Sequence, residues 1–392
     1  MRTLEGLTVV TFEHAIAAPF CTRQLADLGA RVIKIERPGT GDFARGYDTR
    51  TRGLASHFVW VNRSKESVTL DIKHPKGRAV LDALIAKADV VVQNLAPGAA
   101  ARLGISWEAL SAEHPRLTLC DISGYGPDGP YRDKKAYDLL IQAEAGLVSL
   151  TGAEDAPAKS GAPVADIAAG MYAYSQILAA LLRRGVTGKG SHIEVSMLEA
   201  MCEWTSYALY YTYDGAKPPE RAGASHAAIF PYGPFTAGDG TAVILAVQNE
   251  REWESFCRTV LERPDVLANG AYSGNAKRLA KRDELRKVID DVFHTLTGTQ
   301  LVARLDAAGI ANARMNDMQG VWNHPQLEAR GRWTEIDSPS GKLRALLPPG
   351  MNRNDDPRMD AVPALGQHTD AVLVELGFAR SDIELLRNSG AV

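Results

Sequence analysis

The sequence predicts an α/β fold, with a large Rossmann-like α/β domain and a smaller α+β domain. In the first half of the chain, short apolar runs typical of buried strands alternate with helical patterns, as in βαβ units. Farther along, strands separated by turn residues precede charged helices. A length of 392 residues also suits two domains.

Short residue patterns place the elements of the large domain. A run of aliphatic and β-branched residues bounded by turn residues predicts a buried strand, and apolar residues spaced three and four apart predict a helix. The predicted strands are Leu7–Phe12, Arg31–Glu36, Ser67–Ile72, Asp89–Asn94 and Leu117–Ile122. The predicted helices are Phe20–Leu28, Pro75–Ala88 and Tyr137–Leu147.

Changes in these patterns set the predicted domain bounds. The segments are a large α/β domain at 1–205, a linker at 206–226, a small domain at 227–317, and a linker and return to the large domain at 318–392. The small domain combines turn-bounded strands such as Ala242–Val247 with a charged helix at Lys277–Phe293. The tail from Pro339 has too little periodic apolar pattern for its own core, and we predict one helix in it, around Asp370–Leu376.

Composition argues against several kinds of partner. The formal net charge is −3 with both signs interspersed, which disfavours nucleic acid. The four cysteines share no C-x-x-C spacing, so we predict neither a disulfide framework nor a metal site. The N-terminus lacks the apolar stretch of a signal peptide, and no run reaches the ~18 uninterrupted apolar residues of a membrane helix. We therefore expect no membrane association and a cytoplasmic location.

The stretch Gly161–Gly170 places Asp166 at the N-terminal end of a long apolar helix. The pattern closes on Arg183-Arg184-Gly185, a basic last turn with a glycine cap. Its predicted buried stripe consists of Ile167, Met171, Tyr174, Leu178 and Leu181. Free N–H groups and the helix dipole at this end favour an ionised carboxylate by roughly 0.3–1 kcal/mol. Most aspartates in such a position only cap a helix, so the rest of the chain has to decide the role of Asp166.

The usual signatures of nucleotide-cofactor enzymes and hydrolases are missing from the sequence. The segment Glu13–Pro19 after the first predicted strand has no glycine, whereas a dinucleotide site needs G-x-G-x-x-G so that the backbone can approach the pyrophosphate. The sequence also has no P-loop motif, no G-x-S-x-G elbow and no H-x-x-x-H pair. We therefore expect no tightly bound cofactor.

A series of short signatures resembles one protein family over nearly the whole chain. They are Leu4–Val10, Ala18–Gly39, Gly41–Phe43, Asn62–Lys65, Leu70–Lys73, Asn94–Gly98, Arg102–Gly104, Ile122–Gly126, Thr187–Gly190, Val195–Ala200 and Leu365–Thr369. Each is weak alone, but their order and spacing together are specific. The chain resembles the class III CoA-transferases, the CaiB/BaiF family, which includes formyl-CoA transferase and α-methylacyl-CoA racemase.

The resemblance implies a homodimer in which two chains are interlocked, and it implies a role for Asp166. In the transferases of this family the matching aspartate attacks the acyl-CoA carbonyl, which gives an aspartyl anhydride and CoA thiolate. The thiolate then forms an aspartyl-CoA thioester, with which the acceptor acid exchanges. Coenzyme A and its acyl ester are therefore expected as substrates, together with a small carboxylic acid.

The resemblance also implies a binding site for CoA. Such a site should combine cations for the phosphates with apolar walls for the pantetheine arm. The matching positions are Ala17, Arg37, Leu70, Lys73, Asn94, Leu95, Arg102, Lys135, Ala136, Tyr137 and Asp138. Two departures from formyl-CoA transferase argue against formate as a substrate: Ile16 stands in place of a glutamine, and Ser225–Pro234 in place of a glycine-rich loop.

Two other functions remain open from the sequence. Racemases of the family carry a His-Asp pair whose histidine moves a proton, and this chain has Tyr137-Asp138 there. A phenol has a reference pKa of about 10 and is a poor base at neutral pH, so a transferase is favoured over a 2-methylacyl-CoA racemase. A CoA-binding protein without catalysis is the third alternative, although a pure binder needs no carboxylate at the thiol end.

The arginine-rich loop Gly41–Arg52 suggests the kind of acceptor. A guanidinium fork suits the distal carboxylate of a dicarboxylic acid, and histidines could add hydrogen bonds. The candidate acceptor-binding residues are His14, Arg45, Arg50, Arg52 and His226. With the loop Phe12–Pro19, this arginine density resembles family members that use succinyl-CoA with small dicarboxylates. Itaconate is the first candidate, followed by citramalate, malate and mesaconate.

Overall fold

A computed structural model of the protein describes residues 1–350 and 355–392. Contacts within the chain divide it into two units. The first comprises Met1–Leu147, Lys159–Tyr210 and the described part of Ala329–Val392. The second comprises Val148–Ala158 and Tyr211–Glu328.

These bounds depart from the predicted ones. Val148–Ala158 belongs to the second unit because it pairs with a later segment: Gly223 N–H donates to the Gly152 carbonyl, and Arg221 Nε donates to the Ala153 carbonyl. The first part of the predicted linker, 206–210, instead continues a helix of the first unit, and 318–328 belongs to the second unit.

Strands and helices alternate along most of the chain. The strands are β1 (Thr8–Phe12), β2 (Arg31–Glu36), β3 (Lys65–Thr69), β4 (Val90–Gln93), β5 (Thr118–Ser123), β6 (Gly152–Ala153), β7 (Ala156–Pro157), β8 (Ser191–Ser196), β9 (Tyr232–Thr236), β10 (Ala242–Ala246), β11 (Ala311–Arg314), β12 (Trp333–Ile336) and β13 (Leu343–Leu346). The α-helices are α1 (Ala17–Asp27), α2 (Ser56–Asn62), α3 (Gly77–Lys87), α4 (Ala99–Arg102), α5 (Trp107–Leu110), α6 (Asp138–Glu144), α7 (Leu147–Leu150), α8 (Val164–Thr187), α9 (Met197–Tyr211), α10 (Glu250–Ser255), α11 (Pro264–Ala268), α12 (Asn275–Ala280), α13 (Arg282–Phe293), α14 (Gly298–Ala307), α15 (Met318–Trp322), α16 (Pro325–Ala329), α17 (Thr369–Glu375) and α18 (Arg380–Asn388). Short 3-10 helices lie at Phe43–Gly46, Tyr213–Gly215 and Gly270–Tyr272, and a π-helical turn lies at Phe256–Val260.

Six strands of the first unit form a parallel sheet in the order β3-β2-β1-β4-β5-β8. The register aligns their carboxyl ends, so that Phe12 lies beside Gln93 and Glu36 beside Thr69. The strand order reverses between β1 and β4. In open parallel sheets this is where loops diverge and leave a crevice for a ligand. The predicted α/β class with a parallel sheet is correct.

Both faces of this sheet are buried. Val90, Val91 and Val92 of β4 are all inaccessible to solvent, as expected for a strand between two helical layers. One core cluster includes buried residues of α1 and α8, and another includes those of α3, α17 and α18. The sequence prediction missed α18 because this helix contains few apolar residues among its polar ones. It also missed the hairpin of β12 and β13.

Helix α8 differs from its prediction in its buried face and in its end. The predicted stripe is at most partly buried, and Met171 is exposed. The fully buried positions are mostly small residues: Ala165, Ala168, Ala169, Gly170, Ala173, Ile177, Ala180 and Arg184. Small residues are needed because α1 packs so closely that a Cβ at Gly170 would lie 2.7 Å from the Ala17 carbonyl oxygen. The helix continues past Gly185 to Thr187 and is capped by Gly188, whose φ is 71°.

By length and apolar composition, α8 is the one helix within the described ranges that could cross a membrane. Its small-residue face belongs to the core cluster that includes α1. Core helices of large α/β domains pass the same test of length and composition.

The second unit has its own core. Its strands β9, β10 and β11 form an antiparallel sheet in the order β11-β10-β9. Helix α13 contributes Leu285, Ile289 and Phe293 to the core of this unit. The predicted helix Lys277–Phe293 is in fact two helices, since Lys281 between α12 and α13 has non-helical angles (φ −115°, ψ 29°).

Candidate active site around Asp166

Many predicted site residues follow strands of the parallel sheet at its carboxyl edge. These are His14 and Ala17 after β1, Arg37 after β2, Leu70 and Lys73 after β3, and Asn94 and Leu95 after β4. The loops after β1 and β4 flank the point where the strand order reverses. The structure therefore brings these residues to the edge where a ligand crevice is expected.

Asp166 lies in the first turn of α8, where the nearby backbone N–H of Ala17 favours the ionised carboxylate and acts to lower its pKa. Ala17 is the first residue of α1. The carboxylate is thus placed at the N-terminal ends of two helices, where the positive ends of their dipoles lie.

The start of α8 is capped by Asp138 rather than by Asp166. Asp138 Oδ1 accepts the N–H of Ala165 at 2.9 Å and that of Asp166 at 3.3 Å. Its other oxygen accepts from Gln142 Nε2 at 2.6 Å, and Gln142 Oε1 in turn accepts the N–H of Ser160 at 2.9 Å. Both oxygens of Asp138 therefore accept hydrogen bonds from the protein's own groups, and its contact with CoA stays a prediction.

Burial raises the pKa of Asp166 to about 7, and the nearby Asp138 carboxylate adds to the rise, whereas the Ala17 N–H acts in the opposite direction. Burial and the Asp138 charge therefore oppose the ionised state that the helix dipole was expected to favour. A strongly perturbed acid beside an expected ligand crevice is a candidate for a functional group.

The loop between β1 and α1 is held in one conformation by side chains from other parts of the first unit. Ala15 has a φ of 59°, a left-handed conformation that costs an alanine about 1 kcal/mol or more. Asp42 Oδ1 accepts the Ala15 N–H at 3.1 Å. The Asn94 amide bonds both the N–H and the carbonyl of His14, each at 2.9 Å. Asn94, predicted to bind CoA, thus uses its side chain to hold the loop that carries Ala17.

Four fully buried charged side chains form a cluster next to this loop. Glu13 Oε1 accepts from Lys65 Nζ at 2.6 Å and from Lys34 Nζ at 3.3 Å, and Lys34 Nζ also donates to Asp42 at 2.8 Å. Burial alone would raise the pKa of Glu13, but the two ammonium groups outweigh it and lower that pKa to about 2. Burial also lowers the pKa of Lys65 to about 8, against the opposing pull of Glu13.

Sequence reasoning did not assign a function to this charge cluster. The signal that could have revealed it is Lys34, which interrupts the apolar residues of Val32–Ile35 in the middle of a strand. A charge within a buried strand needs a partner of opposite charge. Lys34 has two such partners, Glu13 and Asp42, which come from separate segments.

The predicted CoA-binding residues differ in their exposure. The cations Arg37, Lys73, Arg102 and Lys135 are exposed, and so is Tyr137. Leu70 is only 1% exposed and belongs to the core cluster with α3, and Leu95 packs against the same cluster. The exposed cations can therefore reach phosphates directly, whereas the Leu70 side chain is committed to the core.

The three predicted acceptor-binding arginines have different surroundings. Arg45 donates to Glu36 through Nε at 2.8 Å and Nη2 at 2.7 Å, bonds the Pro363 carbonyl through Nη1, and lies 3.8 Å from the Phe58 ring centroid. These contacts hold the Arg45 side chain within the first unit, and its role as an acceptor ligand stays a prediction. Arg52 Nη1 donates to the Lys342 carbonyl at 2.8 Å. Arg50 is exposed.

The two predicted histidines lie in different units. His14 is partly buried and stacks on Phe43 with ring centroids 5.3 Å apart. His226 belongs to the second unit, where it stacks on Tyr232 at 5.1 Å and its backbone N–H donates to the Tyr232 carbonyl. The structure thus places His14 on the loop that leads to Ala17, and gives His226 a local packing role.

Tyr47 is a neighbour of Asp166 that sequence reasoning missed, although it lies in the arginine-rich loop. Burial raises the pKa of Tyr47 to about 12, and the charges of Asp42 and Asp166 contribute to the rise. Its ring packs between Phe43 and His57, with centroid distances of 5.8 and 5.6 Å. A phenol with this pKa stays protonated at neutral pH, and Tyr47 is close enough to Asp166 for the two groups to affect each other's charge.

Fold and site together define a class of protein. The protein has a parallel α/β sheet, and at the carboxyl edge of that sheet it carries a carboxyl group with a pKa of about 7. Several exposed cations lie on the same edge. The model of one family, described as CoA-transferase family III, matches residues 4–369. The chain belongs to CoA-transferase family III.

Individual relatives agree with this assignment over nearly full length. Human succinyl-CoA:glutarate CoA-transferase is 32% identical over 385 residues, covering 96% of this chain and 86% of the human protein. Formyl-CoA:oxalate CoA-transferase of Rhodopseudomonas palustris is 31% identical, covering 100% and 97%. The crystal structure of a CaiB/BaiF family protein from Brucella suis superposes with a TM-score of 0.86 at 32% identity, covering 96% of this chain and 99% of that one. These findings confirm the predicted CoA-transferase and its fold class.

Proposed function

We propose that this CoA-transferase moves CoA from succinyl-CoA to a small dicarboxylic acid, with Asp166 as the nucleophile. The observation that carries the nucleophile is the Asp166 carboxylate, which lies near the Ala17 N–H at the carboxyl edge of the sheet. A dicarboxylate acceptor is supported by relatives whose names state glutarate and oxalate. Itaconate remains the first candidate from the sequence, and glutarate is the candidate that the relatives add.

In the first half of the proposed reaction, an oxygen of ionised Asp166 attacks the thioester carbonyl of succinyl-CoA. The C–S bond breaks, CoA leaves as the thiolate, and a mixed anhydride between Asp166 and the succinyl group remains. The thiolate then attacks the Asp166 carbonyl carbon, the anhydride C–O bond breaks, and succinate leaves. The enzyme now carries CoA as an aspartyl thioester.

The second half repeats these steps in reverse with the acceptor. A carboxylate oxygen of the dicarboxylic acid attacks the aspartyl thioester and expels the CoA thiolate, which gives a second mixed anhydride. The thiolate attacks the acyl carbon of the acceptor, and Asp166 is released as a carboxylate. One acceptor oxygen therefore stays on Asp166 and leaves with succinate in the next cycle.

The residues around Asp166 fit these steps. The Ala17 N–H, which lies near the Asp166 carboxylate, would stabilise the negative charge that develops on its oxygen when the thiolate attacks the aspartyl carbonyl. Tyr47 retains its proton and could donate to the acyl oxygen in the same way. A pKa of about 7 leaves Asp166 largely ionised above neutral pH and more basic than an ordinary carboxylate when it attacks.

The experiment that tests the substrates is incubation with succinyl-CoA and a panel of acids, followed by mass analysis of the CoA esters. Itaconate, glutarate, oxalate, citramalate, malate and mesaconate form the dicarboxylate arm, and butyrate is the monocarboxylate control. Acyl transfer to one or more dicarboxylates supports the proposal. Failure of every dicarboxylate, with turnover of another acid, would overturn this acceptor class.

The experiment that tests the nucleophile is Asp166→Ala, with the exposed Asp133→Ala as control. Asp166→Ala should lower turnover by at least about a thousandfold, while CoA still binds through the exposed cations. Hydroxylamine should trap the wild-type residue only when acyl-CoA is present, and oxygen-18 from labelled acceptor should appear on Asp166. Near-normal turnover of Asp166→Ala would remove this residue from the mechanism.

The wild type and Asp166→Ala also distinguish a transferase from a racemase. A transferase should not exchange the α-hydrogen of a 2-methylacyl-CoA in deuterated water at a rate comparable to acid exchange, because Tyr137 is a weak base at neutral pH. Fast deuterium uptake that depends on Asp166 would instead favour proton transfer. CoA binding without either reaction would favour a non-catalytic protein.

The proposal includes the interlocked homodimer and the cytoplasmic location implied by the family resemblance. Exposed aromatic residues of α9 support a partner surface: Trp204, Tyr207 and Tyr210 are 45%, 64% and 76% exposed in the single chain. Contiguous exposed apolar residues of this size usually mark an interaction surface. Light scattering at micromolar concentration should give the mass of two chains.

A further inference from the structure

We infer that Lys65 is a positioning residue for Asp166, because its buried ammonium holds together the two ends of the loop that presents Ala17 N–H to the Asp166 carboxylate. This inference rests on the proposed role of Asp166 as nucleophile. Lys65 itself makes no contact with Asp166 among the bonds of the described residues, so its effect has to pass through the loop.

The contacts of Lys65 join two elements. Its Nζ donates to Glu13 Oε1 at 2.6 Å, to the Pro19 carbonyl at 3.0 Å and to Asn62 Oδ1 at 3.1 Å. Glu13 directly follows β1, and Pro19 lies in the first turn of α1. All three donors of the ammonium are thus used, and two of them tie together the two ends of the loop Glu13–Pro19.

The loop between these two contacts needs such a tie. Ala15 takes a left-handed conformation, and structure around it has to compensate for the strain. Ala17 packs against the first turns of α8: a Cβ at Gly170, one turn after Asp166, would lie 2.7 Å from the Ala17 carbonyl oxygen. The Ala17 N–H lies near the Asp166 carboxylate and acts to lower its pKa. A small displacement of the loop would therefore change the position of this N–H relative to the nucleophile.

The chain provides a matched control in the same short segment. Arg63 is also buried and also pairs with α1, but at its other end: Nε and Nη2 donate to Asp27 at 2.9 and 2.7 Å. Asp27 is the last residue of α1, which is about 12 Å along the helix from Pro19. Arg63 thus supports α1 without holding the loop near Asp166.

The charged groups around both side chains are known. Asp166 is faced by Asp138 of α6 and by Tyr47, and Lys65 is faced by Glu13, Lys34 and Asp42. The two sets are linked through Asp42, whose charge also acts on Tyr47. Among the bonds of the described residues, however, none joins Asp166 to Glu13, Lys34 or Asp42, so removal of the Lys65 charge should act on Asp166 mainly through the loop.

The test compares Lys65→Met with Arg63→Met by measuring kcat and KM for succinyl-CoA from pH 5.5 to 9, with the preferred dicarboxylate. The wild type should lose activity on the acid side of about pH 7, where Asp166 becomes protonated. Lys65→Met should move this acid limb upward by about one pH unit and lower kcat about tenfold, with KM within about twofold, because displacement of the Ala17 N–H favours the protonated acid. Arg63→Met should lose thermal stability but keep the wild-type pH profile.

A second variant keeps the test valid if Lys65→Met does not fold. In Glu13→Gln/Lys65→Met both members of the ion pair become neutral, so that pair leaves no buried charge unpaired. This double variant should show the same upward shift of the acid limb. If either folded variant keeps the wild-type acid limb, the positioning role is wrong.

Failure of the inference can be told apart from failure of the proposed function. If Asp166→Ala is inactive but Lys65→Met behaves like Arg63→Met, the nucleophile stands and the role of Lys65 falls. If Asp166→Ala retains turnover, the proposed mechanism fails first, and the acid limb then belongs to another group.

Discussion

The two segments that lie beside Asp166 have opposite character. The segment Glu13–Pro19, on the side of α1, is mostly buried and is held by Lys65, Asp42 and Asn94. The segment Lys135–Tyr137, which leads into α6, is largely exposed, and Tyr137 is 65% exposed. The buried carboxylate thus lies between a segment that is held in place and a segment that is largely exposed.

This difference suggests that the two segments have different functions within the site. Buried charges and a strained turn are costly, and they are worth retaining where they hold a reacting group in place. An exposed segment with polar and aromatic residues can adapt to a bound ligand. On the proposed function, the buried side positions the nucleophile and the exposed side receives acyl-CoA.

The largest effect in this comparison is expected for acceptor selection by two arginines of the same loop. Arg45 is bonded to other groups of the protein, whereas Arg50 is exposed. Arg50→Met should lower kcat/KM for dicarboxylates by about ten- to a hundredfold, because a charge-assisted hydrogen bond to the distal carboxylate is lost, and should change butyrate little. Arg45→Met should depress all acids alike and lower the melting temperature, because it leaves buried Glu36 without its partner. Arg52→Met, which removes the third arginine of the loop, is measured in the same way.

Steady-state kinetics with succinyl-CoA as donor and glutarate or butyrate as acceptor, together with thermal melts, checks this contrast. Equal losses for both acids in Arg50→Met, or no loss at all, would mean that other groups read the dicarboxylate. A selective loss for dicarboxylates in folded Arg45→Met would place Arg45 in the acceptor site.

The packing behind the buried side can be tested with two glycines of the same helix. Gly170→Ala should destabilise the protein by about 1–3 kcal/mol, since the new Cβ would be 2.7 Å from the Ala17 carbonyl oxygen and would push α1 away. Gly185→Ala has open space around it and should stabilise the protein by up to about 1 kcal/mol. Urea unfolding measures both, and a neutral Gly170→Ala would show that the contact between α1 and α8 can relax.

The smallest expected effect concerns the stability cost of the buried carboxyl group. The folded pKa of Asp166 is about 7, above its unfolded value, so the folded state holds the proton more tightly and the wild type loses stability as pH rises from about 4 to 7. Asp166→Asn cannot ionise and should exceed the wild type by about 1–2 kcal/mol at pH 8, with a smaller difference at pH 5. Urea unfolding at the two pH values, with exposed Asp155→Asn as control, tests the sign. A variant less stable than wild type at pH 8 would contradict it.

Most of the large domain could be predicted from the sequence because its signals are local. The strand Arg31–Glu36 has the predicted bounds, and three other strands lie within one residue of theirs at each end. The strand predicted at Ser67–Ile72 instead spans Lys65–Thr69. Errors arose where contacts override the local pattern. The stripe from Ile167 to Leu181 predicted the wrong buried face of α8, since the close approach of α1 requires small residues there.

The candidate site was predicted in part. Asp166, Ala17 and the exposed cations are residues that a family resemblance can point to, because they lie in short motifs. The roles of Asp138, Asn94 and Arg45 could not be read in this way, since each depends on a partner that is distant in the chain: Ala165, His14 and the Pro363 carbonyl.

The sequence by itself determined the α/β class, the alternation of strands and helices, the family and the candidate nucleophile. These follow from residue periodicity and from motifs of a few neighbouring residues. Only the tertiary structure decided that the pKa of Asp166 rises to about 7. It also decided that Lys65 bonds both Glu13 and the Pro19 carbonyl, and that Arg45 forms an ion pair with Glu36. Burial and pairing of charges depend on which distant segments meet in space, and that information is absent from any local stretch of the chain.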